Sequence, residues 1–398
     1  MQLEIHVLQS FPPANLNRDE NGMPKSTVFG GRSRARISSQ CQKRAVRKFY
    51  QDYAELNPEQ FADRSRNWLP ELKKLLVEQG IDEEKAAIAA RLALVEGLKL
   101  TLDDKGKANT IVFLGRTEIA AIATILVNNW SVIESGLTED PPALPKKDPN
   151  IAKVIEKALV ETGKPGDVAL FGRMMASLPT VNVDASVQMA HAISVNMLQQ
   201  EFDFFTAVDD LSDTSDLDTE DSSAGKGADH LGETGYNSST YYRFTVVDTQ
   251  QLEKNLGSKE HLSDITQAFA EAFVQAIPTG HQNGFAAHSL PAAVMVVVRN
   301  GQPVSLVDAF EHPVAPGKDP YSRDKSTKHQ SLLENAVMRL DNHWADLCKM
   351  YGYKSVVFKG IVTREQLAQQ IKHLKDDEKP TVEDLLKDAI AAAFPEGE

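Results

Sequence analysis

The chain has 398 residues, a formal net charge of −13 and 41% hydrophobic residues. That length suits about two to three domains, or one core with large insertions, at an ordinary globular composition. No stretch reaches the ~20 apolar residues of a membrane span, and no basic-then-apolar secretory leader opens the sequence. Cys41 and Cys348 are too few for a disulfide framework or a cysteine metal site, so a reducing cytoplasm is expected.

Residues 2–8 alternate, with Leu3, Ile5 and Val7 on one side and Gln2, Glu4 and His6 on the other. A period of two predicts a half-buried strand. A long polar loop follows, and a helix is expected from Ser39. There "SQCQ" fits a capping box, a hydroxyl at the cap with Gln three residues on.

This region is the chain's charge anomaly. From Asn21 to Gln51 there are eight basic residues and no acid, which leaves −21 for the rest once those eight are taken from −13. At 100° per residue, Lys43, Arg44, Arg47 and Lys48 share one arc of roughly 140°, with Ala45, Val46 and Phe49 opposite. The loop glycines Gly30 and Gly31 permit close approach of backbone to a ligand. The helix N-terminus and its positive dipole favour phosphate. A solvated charged face is the bland alternative; the loop, cap and basic arc together favour nucleic acid.

From about 59 to 177 the pattern is mainly helical. Residues 181–196 alternate as one long strand, with His191 on its apolar phase and therefore expected in the core. Phe202, Phe204 and Phe205 follow, at the entry to an acidic, Ser-rich run that cannot bury a core. The rings suit either an anchoring cluster or a projecting hairpin that inserts between bases. The adjacent Met174 and Met175 suit core filling or, as the minority reading, a wedge. "TYYRFTVVD" reads as a strand, and Leu262, Ile265, Phe269, Phe273 and Ile277 mark a helix face. "AAVMVVV" reads as a buried strand. Helices are expected near 328–350, 363–373 and 381–393, with a strand at 354–359. Without its two insertions, the order is strand, helix, strand, strand, helix, strand, that of the split βαβ, ferredoxin-like α+β fold used by RNA-recognition modules.

No phosphate-binding Walker loop, Rossmann fingerprint or G-x-S-x-G elbow occurs. The ten histidines form no zinc motif, and His281 and His288 have no matching spacing. Asp209 and Asp210 lie in the acidic run, where solvation is the simpler role. Asp19 is the carboxylate to test for catalysis.

"IHVLQSFPPANLNRDENGMPKSTVFGG" and "RARISSQCQKRAVRK" resemble the N-terminus of the CasC family, the backbone (RAMP-type) subunit of the type I-E CRISPR Cascade complex. "VALFGRMMAS", "MAHAISV", "FDFFTAVDDL", "HLGETGYNSSTYYR" and "GHQNGFAAHSLPAAVMV" extend the resemblance to about residue 310. It implies a hand-shaped α+β protein, with an RNA-recognition-type palm (βαββαβ), helical fingers and a thumb hairpin. The palm would take 1–58, 178–200 and 237–398, the last with C-terminal helices; the fingers 59–177; the thumb 201–236.

The resemblance also implies several copies along a CRISPR RNA, thumbs that kink it, and bases left free to pair with target DNA. The partners implied are that RNA, further copies, the paired DNA strand, and the large, small, RNA-end-capping and RNA-processing subunits, with no membrane and no cofactor. Carried onto this sequence, RNA contacts fall on Arg18, Lys25, Ser38, Gln40, Lys43 and Arg47. Arg44 of the same face and Arg173 beside Met174 join them. Met174 matches a wedge, and Phe204 and Phe205 an aromatic pair with Val208 nearby. Phe204 stands where some relatives have Trp. Lys146 and Lys147 fall near lysines that grip DNA phosphates. No role is assigned to the acidic run 209–221. Three functions compete: a non-catalytic scaffold, an RNA-cleaving subunit of type III-like character using Asp19, and a monomeric RNA-binding module.

Overall fold

The computed structural model describes residues 1–207, 230–318 and 330–395. The chain begins with β1 (Gln2–Ala14), the hairpin β2 (Ser26–Phe29) and β3 (Arg32–Ile37), and the basic helix α1 (Ser39–Tyr53). A second two-stranded sheet, β4 (Ala62–Ser65) with β5 (Val112–Gly115), brackets α2 (Trp68–Glu78) and α3 (Glu83–Leu92). Then come α4 (Arg116–Asn128), α5 (Trp130–Leu137), α6 (Ile151–Glu161) and α7 (Gly166–Phe171). The chain returns through β6 (Val187–Met189), β7 (Ala192–Ser194), β8 (Gln200–Ala207) and the long β9 (His230–Asp248). It closes with α8 (Thr249–Leu256), α9 (Leu262–Gln275), the short α10 (Gln282–Phe285), β10 (Ala293–Arg299), α11 (Leu332–Tyr351), β11 (Val356–Thr363) and α12 (Val382–Ala393).

The main sheet runs β11-β10-β1-β9-β7-β3-β2, and β6 and β8 also pair with β9. Every pairing between these strands is antiparallel, so the fold is α+β. β1 lies between β9 and β10, with Ile5 opposite Thr245 on one side and Val296 on the other. Apolar clusters cover both faces. One joins Leu3, Ile5 and Val7 to α1, α9 and α12; the other joins Leu8, Met295 and Val297 to α11.

That two-sided cover corrects the half-buried reading of β1. Glu4 and His6 alternate correctly but are buried. A buried carboxylate needs partners, and Glu4 receives Arg299 Nε at 2.8 Å and the Val304 N–H at 3.0 Å. His6 Nδ1 lies 2.8 Å from the Tyr242 hydroxyl. By contrast "AAVMVVV" is the buried strand expected, and every residue of β10 is buried.

The strand expected at 181–196 is broken. Val187–Met189 and Ile193–Ser194 both pair with β9, but their registers differ by one residue (Met189 opposite Thr245, Ile193 opposite Tyr242). An extra residue in one strand is a bulge and shifts the alternation. His191 sits at the break and is exposed rather than in the core. The helix expected near 363–373 is a short 3-10 turn, Glu365–Gln370. Ile277 falls past the end of α9.

Residues from Trp68 to Val181 have an apolar cluster of their own, in which Leu72, Ala89, Leu126 and Ile155 are fully buried. The acidic run, with Asp209, Asp210 and Val208, lies outside the described residues.

Candidate nucleic-acid interface

The basic helix is held by its apolar back. Ala45 and Val46 are buried, in the cluster that contains Ile265 and Phe269 of α9. The cap is Ser38, one residue before the position expected, and its hydroxyl accepts the Cys41 N–H at 3.3 Å. Ser38 is buried, and its N–H donates to Asn17 Oδ1 at 2.8 Å, tying the helix start to the preceding loop. Gln42 completes no capping box; its amide is buried and donates to Ala190 O at 3.0 Å. Gln40 is exposed beside the cap.

On the outer face Arg44 and Lys48 are exposed, and Lys43 and Arg47 half-buried. Arg44 Nη1 donates to Thr279 Oγ1 and Arg47 Nη1 to Gln51 Oε1, both at 3.4 Å. Burial pushes the Lys43 ammonium below its usual range. Burial does the same to Arg47, helped by repulsion from Arg64. Beneath Arg47 the Asp167 carboxyl is pushed up to about 7 by burial, although it accepts the Ala62 N–H at 2.9 Å.

The sequence reading missed Arg64 and Arg116. Both are exposed on the second sheet and its exit. Arg64 and Arg47 lie 5.4 and 5.8 Å from the centre of the Phe113 ring, and Arg116 lies 5.8 Å from that of Phe61. Such distances allow cation–π attraction. No motif marks these two arginines; the β4–β5 pairing brings Arg64 to the ring that Arg47 of α1 also faces, while Arg116 pairs with Asp63 at 3.4 Å, and only long-range structure shows either.

The loop before α1 is folded on itself. Asp19 Oδ1 accepts the N–H groups of Asn21 (2.9 Å) and Met23 (3.0 Å). Its carboxylate therefore closes a turn, and among the described residues no cluster of three His, Cys, Asp or Glu could hold a metal. Arg18 is exposed and Lys25 half-buried. A cleft of about 280 Å³ opens between Asn17, Arg18, Cys41, Arg44 and Thr279, the meeting of this loop, α1 and the segment after α9.

One cation of the basic segment and one expected RNA contact are internal. Arg34, counted in the basic segment, is fully buried and donates to four carbonyls: Ser194, Val195, Phe310 and Glu311. Gly30 approaches that same Glu311 carbonyl so closely, at φ +57°, that a Cβ would collide with it. Its small size serves the hairpin's docking, not a ligand. Arg173, expected to touch RNA, is buried and paired with Glu118 at 2.6 Å, and its Nη2 donates to Val181 O at 3.0 Å. Its donors are spent on the protein.

Arg173 instead positions its neighbour. Residues 173 and 183 exchange backbone hydrogen bonds at 2.9 Å, and Gly172 turns into this bridge at φ +73°. Met175 is buried, whereas Met174 projects with 86% of its surface exposed. Core filling therefore holds for Met175 alone.

Phe202, Phe204 and Phe205 are exposed on β8, paired with Gly235, Glu233 and Gly232 of β9. Successive strand residues point to opposite faces, so Phe204 shares a face with Phe202 and Phe205 takes the other. Phe205 packs over Gly232, where a Cβ would meet its ring. Lys146 and Lys147 are exposed in the loop between α5 and α6.

Residues 3–388 match the family described as CT1975-like protein. The chain belongs to that family. The fold is shared with a solved chain titled "CRISPR RNA-guided surveillance complex, pre-nicking". The two are 30% identical with a TM-score of 0.79, over 99% of this chain and 100% of that one. A second, titled "CRISPR RNA-guided surveillance complex", is 25% identical with a TM-score of 0.70 over the same shares. No curated protein matches the chain. Both matches span the loop, basic helix and hairpin together, and the shared fold is α+β. Among the described residues no helix is long and apolar enough to cross a membrane.

Proposed function

We propose that the chain is a non-catalytic backbone subunit of a type I-E CRISPR Cascade complex, polymerising along CRISPR RNA and presenting guide bases to target DNA. The observation that carries this is the basic face of α1, held outward by its buried back, in a chain that superposes along its length on a surveillance-complex chain. Cations along one helix face follow a sugar–phosphate chain and bind it without reading sequence. Base pairing then supplies recognition, as in other RNA-guided effectors.

The strand order β10-β1-β9-β7 is the 4-1-3-2 order of a ferredoxin-like palm, which supports the hand-shaped reading. The cluster from Trp68 to Val181 plays the fingers, and β8 with β9 the base of the thumb. Rings on both faces of that hairpin suit a finger of protein crossing RNA between two unstacked nucleotides, with Met174 as a wedge. Arg18, Lys25, Gln40, Lys43, Arg44 and Arg47 grip phosphate. Ser38 acts through its cap, and Arg173 through Met174. Lys146 and Lys147 meet the DNA backbone. Further copies, the other Cascade subunits and the paired DNA strand complete the partners, in the cytoplasm. Asp19, with Oδ1 engaged by two N–H groups, suits loop closure better than cleavage.

The test is mass and RNA content after co-expression with a CRISPR array and the other subunits. Wild type should give a particle holding several copies on one protected RNA, and Lys43→Ala/Arg47→Ala should lose it. A monomer without RNA, or a double variant that assembles equally well, would refute the assignment.

A further inference from the structure

We propose that Lys25, Arg36 and His191 form a second phosphate site, beyond the α1 face, that takes an RNA backbone phosphate. The proposal deepens the RNA-scaffold reading and rests on it.

Three separate pieces of chain meet here. Lys25 ends the folded loop, and its carbonyl accepts the Arg36 N–H at 2.9 Å. Arg36 lies on β3 opposite Ile193 of β7, and its Nε donates to Ser26 O at 3.1 Å. His191 reaches the surface only because of the bulge between β6 and β7. Arg36 Nη1 stands 3.2 Å from His191 Nδ1.

That contact fixes a proton. A guanidinium has only donors, so Nδ1 must accept and the neutral ring carries its hydrogen on Nε2. Burial and then the charges of Arg36 and Lys25 disfavour protonation of His191, and no carboxylate is among the groups acting on it. Three nitrogen donors without an acid repel one another once all are charged, and an anion relieves that repulsion. When a phosphate arrives, the ring takes a proton from solvent at Nδ1. Its bond to Arg36 breaks, and the freed Nη1 turns to the phosphate.

The sign follows from linkage. The free protein holds His191 below its usual value, and bound phosphate raises it. Binding therefore takes up a proton, and affinity should grow as pH falls through the interval between the two values.

The experiment measures affinity of the full chain for a labelled uridine homopolymer, which removes base preference, against pH and salt. From pH 8 to pH 6 the wild type should gain about threefold to tenfold, and His191→Gln should lose that gain. Arg36→Gln and Lys25→Gln should each lower the slope of log affinity against log salt by about 0.7, the value for one phosphate on a single strand. Arg36→Lys keeps the charge and should restore the slope. Should Arg36→Gln unfold, the pH gain kept or lost in His191→Gln decides the site, because Lys25 already grips phosphate in the scaffold reading. A full pH gain in His191→Gln, or unchanged slopes in the other two, overturns the site. If Lys43→Ala/Arg47→Ala weakens binding while these variants behave as wild type, the scaffold reading stands and this site falls. If the wild type binds no RNA, both fall.

Discussion

Lys43 and Arg34 belong to one acid-free basic segment and do opposite work. Lys43 offers its charge outward, while Arg34 spends its donors on four carbonyls inside the protein. Charge counting sees both alike, so the basic segment was legible as a whole but not residue by residue. Arg34→Met leaves those carbonyls unpartnered and should cost about 3 kcal/mol or more in urea denaturation. Lys43→Ala should change stability by only about 0.5 kcal/mol and lower the salt slope of RNA binding by about 0.7. Asp167 makes a prediction of another kind. Its folded value is raised to about 7 from the usual 3.8, so the folded state binds the extra proton. Stability from this group is full below pH 4 and is lost as pH rises to about 7. Asp167→Asn, which cannot ionise, should be spared that loss, roughly 4 kcal/mol at the upper limit. Denaturation at pH 4.5 and pH 7.5, compared between the two proteins, checks it.

At the scale of elements, period and burial part company. The alternation of β1 was correct, yet its polar phase is buried, because cover of the second face comes from α11, hundreds of residues away in sequence. The two strands either side of His191 were read as one, because the sequence alternation runs on across them and only the partner strand reveals the slip. β10 was fully legible because an unbroken apolar run leaves no phase to mistake. The hairpin shows the same limit. Three phenylalanines announce an aromatic cluster, while only pairing with β9 shows Phe204 and Phe205 on opposite faces. That geometry predicts separable effects. In an RNA series carrying a fluorescent base analogue at successive positions, Phe204→Ala should re-stack one position and Phe205→Ala a different one, each weakening stacking by about 1–3 kcal/mol. The same position recovering in both variants would show that the rings act as one pair.

For the whole molecule, the α+β class could be read from the mixture of strand and helix periods, and the sheet is antiparallel throughout its named strands. The added edges, β11 on one side and β2–β3 on the other, could not, because nothing local states which strand an edge will join. A backbone subunit should form particles whose mass rises stepwise with RNA length in mass photometry. A fixed mass on every RNA would favour the monomeric module. Asp19→Ala should leave RNA intact and merely loosen its loop, read as unchanged RNA length after incubation of the assembled complex with magnesium. Loss of a cleavage activity in that variant would establish the catalytic alternative.

Met174 stands at the tip of a very short lever. Its neighbour Arg173 is bolted to Glu118 in the first turn of α4, and Glu118 also takes the Gly115 N–H at 2.8 Å. A push on the tip therefore has little room to be absorbed by bending. It passes into α4 and the helices packed with it, so that load on one exposed side chain is shared by a whole helical lobe. Softening that bolt, as in Glu118→Gln, should leave the methionine in place but let it move, read as faster amide exchange at residues 173 and 183.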